Sequence, residues 1–219
     1  MRLPMPTIFQ QLENFADYLQ KRFKYYEEVD EGHKFTWPNY VYKGHNFRRA
    51  HLDIVDARET KKLYMLHLCV FPHLDCPAPI YGFDIIAGAN KVTGAFHDFS
   101  PIGEHPLNDW FKDKVAGYQW SRERELPEWA RNIFSPTMVA AGNINTEEEL
   151  AKVLSLATAN LNQYLDYMGM GEKGDYKDKQ NYYCQNQKKN PHTPRVMASL
   201  GLDPDEVSLF INKCLFPEV

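Results

Sequence analysis

Apolar residues near the start of the chain recur at helical spacing. Ile8, Leu12, Phe15, Leu19 and Phe23 fall on one face, and Thr7 with Gln10 has the spacing of a capping box. A helix is predicted there, followed by a loop rich in glycine, proline and charge over residues 27–39. From Tyr40 to Phe99 the pattern shortens. Segments 51–55, 63–71, 80–86 and 92–99 are rich in β-branched and aromatic residues and read as strands. Residues 56–62, the three-proline stretch 72–79 and residues 88–91 separate them. Such short connections favour antiparallel pairing, because a parallel pair needs a long crossover.

The second half reads as mostly helical. Thr146 and Glu149 form a second capping box. Leu150, Val153, Leu154, Ala157, Leu161, Tyr164, Leu165 and Met168 then share a face, until Gly169, Gly171 and Gly174 end the helix. A last helix begins at Asp203 with Pro204 in its first position and is expected to bury Val207, Phe210, Ile211 and Leu215. Helices before and after one sheet predict an α/β fold, a three-layer α/β/α sandwich with a central antiparallel sheet, formed by residues 1–219 as a single domain.

A net charge of −4 argues against a nucleic-acid partner, which asks for a basic surface. The aromatic share of 14% suits either a thick core or a flat apolar ligand, and core is the first reading. Cys69, Cys76, Cys184 and Cys214 contain no C-x-x-C pair, which fits reduced thiols and gives no zinc or iron–sulfur signature. The first ten residues lack a signal-peptide core, and no run approaches the ~18 apolar residues of a membrane span. A soluble, cytoplasmic protein is expected, with no membrane partner.

The chemistry lies on the strands. In the segment 64–71, Tyr-Met-Leu-His-Leu-Cys-Val-Phe, both faces are apolar, so a central strand is expected, with His67 beside Met65, Cys69 and Phe71. A lone histidine there reads first as a core residue. It is not alone: His51 and Asp53 alternate with Leu52 and Ile54, and Asp84 sits among apolar neighbours. Aspartate is disfavoured in strands and rarely buried unpaired. Four ionisable groups on three neighbouring strands predict a pocket floor that handles protons. A metal site of His51, Asp53 and His67 lacks a local ligand spacing. There is no G-x-S-x-G elbow, G-x-G-x-x-G turn or Walker loop, so hydrolase, Rossmann and P-loop chemistry go unsupported. The residues alone lead to an acid–base pocket on a sheet.

Four stretches carry a resemblance. They are Phe47-Arg48-Arg49-Ala50-His51-Leu52-Asp53, the strand Leu66-His67-Leu68-Cys69-Val70-Phe71-Pro72, the run Pro79 through Gly88 with Asp98-Phe99-Ser100-Pro101, and Tyr182-Tyr183-Cys184-Gln185-Asn186-Gln187-Lys188-Lys189-Asn190. In order and spacing, over about residues 40–219, they resemble the ferredoxin-dependent bilin reductases. The resemblance implies a monomer with no bound metal or flavin. Biliverdin IXα would lie between the sheet and the C-terminal helices, and reduced ferredoxin would supply single electrons. His67 and Asp84 match the family's proton-donating pair, His51 matches a histidine near the bilin, and Asn190 matches an asparagine beside it. A bilin carrier without reductase activity is the alternative of another class, and the acidic pair argues against it.

Three positions depart from the family pattern. Asp53 stands where phycocyanobilin-forming members have a glutamate that serves the D-ring vinyl group. Pro191 replaces an aspartate used in A-ring reduction. Ala140 or Ala141 replaces a propionate-binding arginine, for which His192, Arg195 or Lys189 can substitute. The Asp53 variant resembles a compact viral branch that makes phycoerythrobilin, so that product, by way of 15,16-dihydrobiliverdin, is expected ahead of phycocyanobilin. A phage-infected cell is then one setting. Asp84, His67 and Asp53 are expected to be catalytic, with His51, Asn190, His192 and Arg195 binding substrate. The basic stretch 173–195, with Lys173, Lys177, Lys179, Lys188, Lys189 and Arg195, is the expected ferredoxin-facing segment.

Overall fold

A computed structural model describes residues 5–219. Helix α1 (Ile8–Phe23) forms as its periodicity requires, with the Thr7 and Gln10 side chains each bonded to the other's backbone N–H. Strands β1 (Glu27–Glu28), β2 (Asn39–Lys43) and β3 (Phe47–Ala57) follow, then the single turn α2 (Arg58–Lys61). Next come β4 (Leu63–Pro72), β5 (Ile80–Ala87), β6 (Val92–Ser100), α3 (Pro106–Val115), the short α4 (Glu128–Arg131) and β7 (Val139–Ile144). The chain ends with α5 (Glu147–Tyr167), α6 (Lys177–Gln187), α7 (His192–Ser199), α8 (Pro204–Leu209) and a π-helical turn at Phe210–Leu215.

The sheet is a meander. Its order is β1 to β7 in sequence order, and every neighbouring pair is antiparallel. Strand side chains alternate between faces. Leu52, Leu66, Leu68, Val70, Tyr81, Phe83 and Ile85 pack on one face with α1, α3 and α5. Val55, Cys69, Phe71 and Ile80 pack on the other with Tyr183 and Cys184 of α6, Met197 of α7, and Phe210, Cys214 and Leu215 of the π-helical turn. The three-layer α/β/α arrangement and its antiparallel sheet are as the sequence predicts. On the first face His97 ties α5 to the sheet. Its Nδ1 donates to the Gly82 carbonyl at 2.8 Å, and its Nε2 accepts from Asn160 at 3.0 Å.

Three expectations change. The sheet has seven strands rather than four, because β1 and β2 begin and follow the expected loop while β7 lies in the half read as helical. The segment Val-Ala-Ala-Gly-Asn-Ile of β7 is poor in strand formers, and it is pairing with β6 that makes it a strand. The second capping box is only half made. Thr146 accepts from the Glu149 backbone, but the Glu149 carboxylate turns away to the Ser121 N–H at 2.6 Å and its hydroxyl at 2.9 Å. Finally, the last helix widens into the π turn, so Phe210 and Leu215 are buried whereas Val207 and Ile211 are only partly covered. Among the described residues no helix is long and apolar enough to cross a membrane.

Candidate active site

Register places the ionisable residues in one row. Asn39 of β2 lies opposite Asp53 of β3, Asp53 opposite His67 of β4, His67 opposite Asp84 of β5, and Asp84 opposite Phe96 of β6. Directly opposed residues put their side chains on the same face, within reach of each other. His51 lies two residues along β3 on that face, opposite Cys69. The four strand residues singled out in the sequence therefore come together.

Their contacts differ. His67 Nδ1 is 2.8 Å from Asp84 Oδ1. Burial opposes a charge on His67, but Asp84 in contact and Asp53 nearby more than offset it, so its pKa lies above the ordinary value. Asp84 is not buried as its apolar neighbours suggested; its side chain is 45% exposed. The chain passing over this face leaves that carboxyl open while covering His67. Asp53 is enclosed, and burial pushes its pKa up to about 6 against the opposing pull of His67 and of hydrogen bonds from Asn39 and Trp37. His51 is fully buried, which drives its pKa well down, helped by His67 and Arg49. The His51 and His67 rings lie 5.4 Å apart between centroids.

The C-terminal layer rests on this floor. Phe210 lies 6.2 Å from the His51 ring and Phe216 6.5 Å from the His67 ring, centroid to centroid. The Tyr-Tyr-Cys-Gln-Asn-Gln stretch forms α6, whose Tyr183, Cys184, Asn186 and Gln187 are buried, and Gln187 donates to the Tyr183 hydroxyl at 2.7 Å. Arg48 stacks over Phe71 and donates to Gln180 of α6 at 2.7 Å.

The other expected site residues lie apart from the row. Asn190 sits between α6 and α7 and accepts the His192 N–H at 3.0 Å, starting α7. His192 and Arg195 are exposed on α7. Of the two alanines, Ala140 extends the row, opposite Phe96, whereas Ala141 belongs to the other core. Arg124 reaches the site face there, 5.9 Å above the Phe96 ring, with a hydrogen bond to the Thr93 carbonyl. Lys188 is engaged by Glu218 at 2.6 Å and Lys173 by Asp75 at 3.1 Å, so the basic stretch offers fewer free cations than its composition suggested. Asn39 and Trp37 escaped the sequence reading. The only local signal is an indole and an amide just ahead of Tyr40, in a stretch that gains its role by pairing with β3. Among the described residues no three histidine, cysteine, aspartate or glutamate side chains converge as a metal-ligand group.

The profile of the family described as "Ferredoxin-dependent bilin reductase" matches residues 7–217. Phycocyanobilin:ferredoxin oxidoreductase of Gloeobacter violaceus is 30% identical over 85% of this chain and 76% of its own length. The enzyme of the same name from Trichodesmium erythraeum is 27% identical over 91% of this chain and 83% of its own. A solved PcyX structure superposes with a TM-score of 0.65 at 38% identity, covering 94% of this chain and 97% of that one. Tomato phytochromobilin synthase, solved with biliverdin, shares the fold at a TM-score of 0.67 and 15% identity, over 95% of this chain and 82% of its own. This chain belongs to the ferredoxin-dependent bilin reductases, a family of oxidoreductases.

Proposed function

We propose that the protein reduces biliverdin IXα to phycoerythrobilin by way of 15,16-dihydrobiliverdin, acting as one domain and as a monomer. Four electrons arrive singly from reduced ferredoxin, and four protons balance them. The carrying observation is the row Asp53–His67–Asp84, in which a histidine with a raised pKa touches a half-open carboxyl. A proton donor must be in hydrogen-bond reach of its acceptor and able to regain its proton. Asp84 and His67 suit that task as a coupled pair, His67 touching a carboxyl that is open to solvent, and a passive carrier has no use for them.

Asp53 supports the choice of product. Its carboxyl stands one methylene, ~1.5 Å, behind the glutamate it resembles, and Trp37 and Asn39 hold it at the sheet. Contact with a D-ring vinyl group is thereby disfavoured, and reduction of the 15,16 bridge comes first. Pro191 is the counterargument, because it removes the acid that other A-ring reducers use; Asp53 takes over as the second donor only with the bilin rotated or flipped in the pocket. His51 and Asn190 flank the bilin, while Arg124, Arg195 and Lys189, with His192 as a further hydrogen-bonding group, hold its propionates. A planar ligand that reaches the histidine rings must displace Phe210 and Phe216 outward. Ferredoxin docks on the basic side of α6.

Anaerobic turnover of biliverdin with reduced ferredoxin, followed by chromatography beside authentic bilins, tests this. Transient 15,16-dihydrobiliverdin and final phycoerythrobilin are expected. Phycocyanobilin without that intermediate would overturn the product, and no reduction at all would overturn the function.

A further inference from the structure

Asn39 opens β2, opposite Asp53, and touches two groups of the site at once. Its Nδ2 lies 2.5 Å from Asp53 Oδ1 and 2.8 Å from His51 Nε2. Trp37 Nε1 donates to the same Asp53 oxygen at 3.2 Å. The Asn39 atom between the two groups is the amide nitrogen on chemical grounds. An amide oxygen there would face a carboxylate oxygen, acceptor against acceptor, whereas the nitrogen carries two hydrogens, one for each neighbour. His51 Nε2 therefore accepts, and a neutral imidazole that accepts at Nε2 carries its proton on Nδ1. His51 is neutral near pH 7, since burial holds its pKa well below the ordinary value. Its Nδ1 is buried with no partner among the described residues, and so is His67 Nε2. Asp53 Oδ2 lies 3.6 Å from His51 Nε2, beyond a hydrogen bond, and accepts from no donor among the described residues.

We propose that Asn39 is a positioning residue that locks His51 in the Nδ1–H tautomer and pins Oδ1 of Asp53, leaving Oδ2 as the carboxyl oxygen free to carry and release a proton. One side chain thus sets the proton position on two groups of the floor. The tautomer follows from the geometry alone; its consequence for catalysis rests on the reductase reading above. Trp37 assists only at Asp53, because its indole has no contact with a His51 nitrogen.

Nitrogen-15 NMR of histidine-labelled, substrate-free protein at neutral pH reads the tautomer directly, with the His51 signal identified by its loss in His51→Gln. The wild type is expected to show a protonated Nδ1 and a lone-pair Nε2. Trp37→Phe keeps that signature, and Asn39→Leu converts it to a mixture of tautomers. In biliverdin turnover, Asn39→Leu lowers kcat on the order of 10²-fold, the loss expected when a reacting group is misplaced, with KM little changed. A wild-type His51 protonated at Nε2 would overturn the proposal before any variant is made. So would an Asn39→Leu protein that keeps the Nδ1–H signature, or a Trp37→Phe protein that loses it. A wild type with the Nδ1–H signature but no biliverdin turnover supports the tautomer assignment and overturns the reductase reading instead.

Discussion

A group that delivers protons repeatedly must be refilled from solvent. Of the three aspartates on the site face, Asp53 and Asp98 are buried, while the Asp84 side chain is 45% exposed. Asp84→Asn keeps size and hydrogen bonding but removes the acid. Bilin binding, read by absorption titration, is expected to persist, while anaerobic turnover falls by ~10²-fold or more. Turnover near the wild-type rate would remove Asp84 from the mechanism. At this scale the sequence revealed which residues are special but not their surroundings. His51, Asp53 and His67 stood out because strand alternation forces them onto one apolar face. The openness of Asp84 could not be read, since it depends on which segments of α6, α7 and the C-terminus pass overhead. Asn39 and Trp37 were hidden for a related reason. Their role follows from the register of β2 on β3, and nothing local announces a register.

Helix α6 is two-sided. Its buried side carries Tyr183, Cys184 and Gln187 onto the sheet, and its first turn exposes Lys177 and Lys179, which join none of the salt bridges among the described residues. Plant-type ferredoxins are acidic, and complementary charge acts mainly on encounter. Reversing Lys177 and Lys179 to Glu is expected to raise the KM for ferredoxin several-fold at low salt and to flatten its salt dependence. Bilin affinity should be unchanged. An unaltered KM at low salt would move the docking face elsewhere. Lys188 is a poorer choice than its place in the sequence suggested, because Glu218 already holds it. Elements with strong periodicity were legible, as α1, α5 and the four central strands illustrate. The outer strands were not. The alanines and glycine of β7 have no strand preference of their own, and β1 is two residues long, so both exist through the neighbour each pairs with.

For the molecule as a whole, the buried acids tie stability to pH. The folded protein binds protons on Asp53 and Asp98 up to about pH 6, against an ordinary value of 3.8. The folded state thus holds more protons than the unfolded chain between those values, so stability falls as pH rises through that window and the full cost is present above it. A shift near two units corresponds to about 3 kcal/mol per group. His67 acts in the same direction, since its raised pKa contributes stability that is lost as pH climbs above the ordinary imidazole value. Asp53→Asn is accordingly expected to gain on the order of 2 kcal/mol at pH 8 and almost nothing near pH 4, measured by urea unfolding at both. Equal changes at the two pH values would show that the Asp53 charge is not what costs stability. The order of the strands has a consequence in time as well. Because each strand pairs with the one made just before it, a chain leaving the ribosome can bring Asn39, Asp53, His67 and Asp84 together in the sequence of their synthesis. The row of ionisable residues can exist while residues 177–219, which roof it, are still untranslated. During that interval Cys69, Phe71 and Ile80 stand bare, and the nascent enzyme is most exposed to chaperone capture or aggregation at the face that α6, α7 and the C-terminal turn later cover.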